Sequence, residues 1–119
     1  MSGRRWLPAL LWLGLILTAT SIPNADVPSV PGGDKAAHAI MYGVLGALVA
    51  SALGDRPRLW SRLVGAWAGI AAIAALDEWH QLFIPGRSAS AGDWVADTAG
   101  VGFALLVFGV ALRRREPIR

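Results

Sequence analysis

The sequence predicts an all-α integral membrane protein, one bundle of four transmembrane helices packed up-and-down with both termini in the cytoplasm. The chain has 119 residues, which suits a single domain, and 55% of them are hydrophobic, above the roughly 45–50% of soluble proteins. The apolar residues are gathered into four long segments that have no polar face to turn to water. Arginines flank these segments and do not interrupt them.

The four predicted helices cover residues 6–22, 36–53, 63–84 and 95–112. Each has about 17–22 residues, enough to cross a hydrocarbon core of about 30 Å. The first segment follows two arginines, as the apolar part of a signal peptide would. It is long, however, and no small-residue cleavage site follows it, so we expect it to be retained as a helix. The linkers are too short for a second domain, so residues 1–119 are predicted to form one membrane domain.

The positive charges predict the orientation of the chain. Nine of the eleven lysines and arginines lie before the first helix, between the second and third, or after the fourth. The remaining two loops carry only Lys35 and Arg87. Because positively charged loops stay on the cytoplasmic side, both termini and the middle loop are expected in the cytoplasm. Residues 23–35 and 85–94 are then expected outside.

Two classes of function are excluded by composition. The net charge of +3 does not indicate a nucleic-acid-binding protein, because the basic residues flank helices and form no continuous stripe. The chain has no cysteine, so disulfides and thiolate chemistry are absent.

Small residues predict where helices approach one another. Gly65 and Gly69 form a GxxxG pair in the third helix, and Gly43 and Ala47 form a similar pair in the second. Such spacing lets helix backbones come close in lipid. The same pairs allow oligomerisation.

The most polar stretch is LDEWHQLFIPGRSASAGDWVAD, residues 76–97, which collects charged side chains between two apolar segments. Positions i, i+3 and i+4 of a helix share a face. Asp77, His80 and Gln81 should therefore lie together, while Glu78 points about 100° away.

The second and fourth helices bring similar residues to the same end of the bundle. Asp34, His38 and Tyr42 follow one another at spacings of four, and so do Asp93 and Asp97. Ionisable residues within membrane segments are expensive and are by default candidates for function. We therefore predict one outward-facing polar pocket built from three helices.

Some of these residues also have a structural explanation. Ser90 and Asp93 fit the start of a helix, with Ser90 as N-cap and Asp93 three residues on. Lys35 is explained as a charge at the membrane boundary, and Arg87 as a side chain that reaches lipid phosphate. Ser88 would be a weak candidate nucleophile, because no GxSxG motif is present.

The predicted site has two parts. The candidates for catalysis are Asp77, His80, His38 and Asp97. The candidates for ligand binding are Asp34, Tyr42, Glu78, Gln81, Arg87, Ser88 and Asp93.

The residue types allow several chemistries. Carboxylates and imidazoles are ligands for divalent metals, but no metal-motif spacing is present, so a metal cofactor stays unknown. The same groups suit an acid–base pair such as Asp77 and His80. A non-enzymatic protein whose polar cluster only locks the helices is the main alternative. A proton-linked transporter is a weaker one, because the third helix is apolar from Leu63 to Leu76. The sequence does not decide between an enzyme and a binding protein.

Three motifs in order make the chain resemble the VanZ-like family of small bacterial membrane proteins. They are DKAAH at 34–38 followed by Tyr42, DEWHQLFIPGRSAS at 77–90 and DWVADTAG at 93–100. The resemblance covers about residues 34–110 and implies a protein of the bacterial cytoplasmic membrane. The family is named for a protein associated with teicoplanin resistance. The resemblance therefore implies an envelope lipid or lipid-linked cell-wall precursor as the ligand, and a link to teicoplanin resistance.

Overall fold

Helices account for all the regular structure in the part of the chain that the computed structural model describes, which is residues 3–22, 33–54, 57–86 and 90–115. The helices, after a 3₁₀ turn at Gly3–Trp6, are α1 (Leu7–Thr20), α2 (Gly33–Leu53), α3 (Leu59–Gln81) and α4 (Ala91–Arg114). The predicted all-α class is confirmed.

Three of the helices are long and apolar enough to cross a membrane. They provide 19 residues in α2, 23 in α3 and 24 in α4. The helix α1 has 14 residues, about 21 Å at about 1.5 Å per residue, against a hydrocarbon core of about 30 Å. The described residues thus support a membrane protein through three of the four predicted spans, and α1 is shorter than predicted.

The helix α3 is shifted toward the N-terminus relative to residues 63–84. It begins at Leu59, because Arg58 has a left-handed conformation (φ 59°) that cannot belong to the helix. It ends at Gln81, after which residues 82–84 donate i→i−3 backbone hydrogen bonds. Pro85 follows and has no N–H with which to continue a helix.

The helix α4 begins at Ala91, four residues before the predicted start. The hydroxyl of Ser90 accepts a hydrogen bond of 3.0 Å from the backbone N–H of Asp93. The predicted N-cap is therefore confirmed, and it extends the helix into the polar stretch.

The closest helix pair is α2 with α4, and glycines permit the approach. A Cβ atom at Gly100 would overlap the carbonyl oxygen of Ala39, and one at Gly46 would lie 3.1 Å from a backbone oxygen of α4. Gly65 and Gly69, in contrast, have no neighbouring atom within 4 Å of the Cβ position. The GxxxG pair of α3 therefore makes no close helix contact within the described chain.

The bundle interior away from the predicted site is apolar. It contains buried side chains of α2, α3 and α4, among them Leu45, Val49, Leu63, Ile70 and Leu105. The helix α1 is fixed to α2 by the indole of Trp12, which donates a hydrogen bond of 2.8 Å to the carbonyl oxygen of Met41.

We expect Gly100→Ala to destabilise the bundle by about 1–3 kcal/mol, because the new methyl group must push α2 and α4 apart. The measurement is thermal unfolding in detergent, followed by tryptophan fluorescence. Gly65→Ala is the matched control, since a methyl group there meets no neighbour. It should leave the melting temperature unchanged or raise it slightly, by at most about 1 kcal/mol of stability. Equal melting curves for the two variants would contradict the close α2–α4 contact.

Candidate functional site

Four helix ends meet at one end of the bundle, which we call the polar end. They are the C-terminal ends of α1 and α3 and the N-terminal ends of α2 and α4. The buried polar and charged side chains of the described residues lie toward this end; they are Thr20, His38, Asp77, Glu78, Gln81, Asp93, Asp97 and Thr98.

The imidazole of His38 lies at the centre of the polar end. Its Nδ1 shares a hydrogen bond of 2.8 Å with Oδ1 of Asp97, and Oε1 of Glu78 is 3.9 Å from the same nitrogen. When Asp97 is ionised and the imidazole is neutral, Nδ1 carries the hydrogen and donates it, so Nε2 keeps a lone pair. This arrangement fits a general base or a metal ligand.

Asp97 itself is fully buried, with 0% of its surface exposed. Its second oxygen, Oδ2, has no hydrogen-bond partner in the described part of the chain. Buried polar atoms are nearly always hydrogen-bonded. The pair of His38 and Asp97 therefore has unused capacity to accept a hydrogen bond or a cation.

Glu78 and Asp93 connect this pair to the start of α4. Oε2 of Glu78 accepts a hydrogen bond of 3.2 Å from the backbone N–H of Ser90, the role that the acid at N3 takes in a capping box. Asp93 instead forms an ion pair with Lys35, whose Nζ lies 3.3 Å from Oδ1. One ligand atom each from His38, Glu78 and Asp93 lie within 4.8 Å of one another, so these three residues could hold a metal ion.

Asp77 lies in a separate set of contacts between α1, α2 and α3. Its Oδ1 accepts a hydrogen bond of 2.8 Å from Thr20. Its Oδ2 accepts from the Tyr42 hydroxyl at 3.2 Å and from the Gln81 amide at 3.5 Å. Both carboxylate oxygens thus have donors. The sequence pattern missed Thr20, although a hydroxyl at the end of an otherwise apolar helix is the signal that would have found it.

The helix-face prediction grouped His80 with Asp77 and Gln81 and placed Glu78 about 100° away. The burial of His80 and Glu78 does not follow that grouping. Glu78 is buried, because α3 has α1 and α2 on one side and α4 on the other. The imidazole of His80 is exposed and lines, with Asp77, Leu17 and other α1 and α3 side chains, a cavity of about 330 Å³. No hydrogen bond joins His80 to Asp77 in the described structure.

Three predicted site residues lie outside the described part of the chain. They are Arg87, Ser88 and the side chain of Asp34. Their roles stay predictions.

A family model described as VanZ/LLP1 matches residues 9–112. The chain belongs to the VanZ/LLP1 family. The match includes most of α1 as well as the three motifs. It therefore covers more of the chain than the resemblance, which extends over residues 34–110. No curated protein and no solved structure matches the chain.

The polar end of this VanZ/LLP1 protein borders an apolar cavity between α3 and α4, which we call the α3–α4 cavity. Its volume is about 330 Å³. Its walls are mainly apolar, from Trp79, Leu82 and Trp94, and its polar lining comes from Glu78 and Ser90. Glu78 is therefore shared between the charged cluster and an apolar space large enough for part of a lipid.

We expect Thr20→Val to lower stability by about 1.5–3 kcal/mol, because Asp77 loses a hydrogen bond to a charged group that joins α1 to α3. Thermal unfolding in detergent measures the loss. Thr18→Val is the matched control, since among the described residues the Thr18 hydroxyl bonds only to the carbonyl oxygen of Gly14 within its own helix. If both variants melt at the same temperature, the Thr20–Asp77 contact does not hold the helices together.

Proposed function

We propose that this VanZ/LLP1 protein binds the polar head of an envelope lipid, or of a lipid-linked cell-wall precursor, at the outer face of the bacterial cytoplasmic membrane. The polar end is the binding site in this proposal. The residues that carry it are His38, Glu78, Asp93 and Asp97.

The proposal rests on one observation: the buried cluster and the α3–α4 cavity share Glu78. A lipid has a polar head joined to apolar chains. This site offers carboxylates and an imidazole, which would accept hydrogen bonds from hydroxyl or amine groups of a headgroup, beside an apolar space. Trp79 and Trp94 on the cavity walls are the amphipathic residues that membrane interfaces favour. The oriented imidazole of His38 would serve either binding or proton transfer at a bound headgroup.

The proposal includes a four-pass, up-and-down topology with both termini in the cytoplasm. Seven basic residues of the described chain support this orientation, because they lie at the end of the bundle opposite to the polar end. They are Arg4, Arg5, Arg58, Arg62, Arg113, Arg114 and Arg115. The helix α1 would be the fourth span, extended by the turn at Gly3–Trp6. Its contacts with Met41 of α2 and Asp77 of α3 support a position alongside the other helices.

A purely structural role is the second candidate, and the contacts of Asp77 favour it for that residue. Its donors come from α1, α2 and α3 and leave neither oxygen unpaired. Such a set locks helices without needing a ligand. A proton pathway through the bundle receives no such support, because the described core beyond the polar end is apolar.

A link to teicoplanin resistance is the further extension of the proposal. Teicoplanin carries a lipid tail and acts on lipid-linked precursor outside the membrane, where the proposed site lies. A protein that binds such lipids would alter that encounter. Teicoplanin susceptibility of cells with and without the intact chain tests this extension separately from lipid binding.

The orientation is tested with single cysteines, because the chain has none of its own. We expect Pro85→Cys to react with a membrane-impermeant maleimide on intact spheroplasts. Ser61→Cys, in the first turn of α3, should react only after the membrane is opened. Both positions are exposed. The reverse labelling pattern would contradict the proposed topology.

We expect Trp79→Ala to reduce the lipid that stays bound during purification in mild detergent. Removing the indole that forms one wall of the cavity should lower the lipid-binding free energy by about 1.5 kcal/mol, which is roughly tenfold in affinity. Mass spectrometry of the extract distinguishes phospholipid from polyprenyl-linked lipid and so identifies the class.

Trp60→Ala is the control for this experiment. Trp60 is 37% exposed and Trp79 61%, and Trp60 lies at the other end of α3 beside a different apolar cavity. Lipid loss from Trp60→Ala as well, or from neither variant, would refute a specific lipid site and favour the structural role.

A further inference from the structure

We propose that His38, Glu78 and Asp93 form a binding site for a divalent transition-metal ion of the Zn²⁺ or Mn²⁺ class. The three residues come from α2, α3 and α4, and all are buried. This site does not depend on lipid binding, because it needs only side chains of the chain itself.

The geometry of the three side chains allows a common ion. Their ligand atoms lie within 4.8 Å of one another. Ligands about 2.1 Å from a tetrahedral ion are about 3.4 Å apart. The atoms that define the group therefore have to approach by at most about 1.4 Å. Because Nδ1 of His38 is hydrogen-bonded to Asp97, rotation of the Glu78 and Asp93 side chains would have to bring their oxygens toward Nε2.

The type of ligand selects the class of metal. Carboxylate oxygens alone suit Mg²⁺ or Ca²⁺, whereas an imidazole nitrogen beside them suits Zn²⁺ and other first-row transition metals. We therefore expect the site to prefer Zn²⁺ and Mn²⁺ over Mg²⁺.

Asp97 gives the second and independent indication of a cation. Its Oδ1 holds Nδ1 of His38 at 2.8 Å, the contact by which a carboxylate orients a metal-binding histidine and leaves Nε2 as the ligand. Its Oδ2 is buried and has no hydrogen-bond partner among the described residues. Asp97 is a positioning residue in this proposal.

The balance of charge also favours a cation. Three carboxylates, those of Glu78, Asp93 and Asp97, face one imidazole and the ammonium group of Lys35 within the described structure. Buried carboxylates that lack full compensation are costly in a membrane protein. A divalent ion between the three helices would add positive charge to this set of side chains.

Lys35 would compete with a bound cation for the carboxylate of Asp93. Its Nζ lies 3.3 Å from Oδ1 of Asp93, and its side chain is 51% exposed. The ammonium group can therefore withdraw toward solvent when an ion binds. Removing its charge should strengthen metal binding.

The test is isothermal titration calorimetry of Zn²⁺ into the full chain, purified in detergent with a tag that contains no histidine and stripped of metal with a chelator. We expect one ion per chain. Asp97→Asn should lower the affinity roughly 10–100-fold, the usual effect of losing such a carboxylate. His38→Ala should lower it at least as much, and Lys35→Gln should raise it.

His80→Ala is the matched control, because His80 is an exposed histidine outside the group. It should bind Zn²⁺ like the unaltered chain. Loss of binding in His80→Ala, or unchanged binding in His38→Ala, would show an adventitious surface ion and overturn the proposal. The proposal would also be overturned if the unaltered chain bound neither Zn²⁺ nor, in a parallel titration, Mn²⁺.

Folding of each variant is checked by its thermal unfolding curve. Glu78→Gln and Asp93→Asn provide a second route should His38→Ala not fold, since both keep side-chain size and should still weaken Zn²⁺ binding. The titration contains no added lipid. A negative result in it therefore overturns the metal site alone, and a negative lipid-retention result overturns the proposed function alone.

Discussion

The buried carboxylate of Asp97 is the constraint on which the arrangement of the helices depends. A charged side chain costs on the order of 2.5–3.5 kcal/mol at the centre of a membrane on insertion scales, and less toward the edge. Asp97 lies in the second turn of α4, but 0% of its surface is exposed. It therefore needs a partner from another helix. His38 supplies that partner at 2.8 Å, which fixes both the spacing and the rotation of α2 against α4.

The glycines of α2 and α4 make this pairing possible. Gly100 follows Asp97 by three residues and lies on the same face of α4, and its contact is Ala39, the neighbour of His38. The close backbone approach and the buried pair thus occur at one place on the two helices. A larger residue at Gly100 would separate the histidine from the aspartate as well as the helices, so packing and site chemistry are coupled here.

Patterns within one helix were predictable from the sequence, whereas contacts between helices were not. The spacing of Asp77 and Gln81 and the cap at Ser90 depend on local geometry, and the structure reproduces both. The burial of Glu78 depends on which two faces of α3 are covered, and the contact of Thr20 with Asp77 depends on which helices are neighbours. Both follow from tertiary packing, which the periodicity of a single segment does not encode.

The polar end consists of two halves that differ in how completely their hydrogen bonds are satisfied. Asp77 has donors for both oxygens from three helices, which is what a structural lock requires. Asp97 has one oxygen without a hydrogen-bond donor in the described chain. The same half of the polar end includes Glu78, which borders the α3–α4 cavity. A ligand adds most free energy where polar groups are not yet paired. The proposed binding site therefore lies in the half formed by α2, α3 and α4, and the half that α1 completes holds that geometry in place.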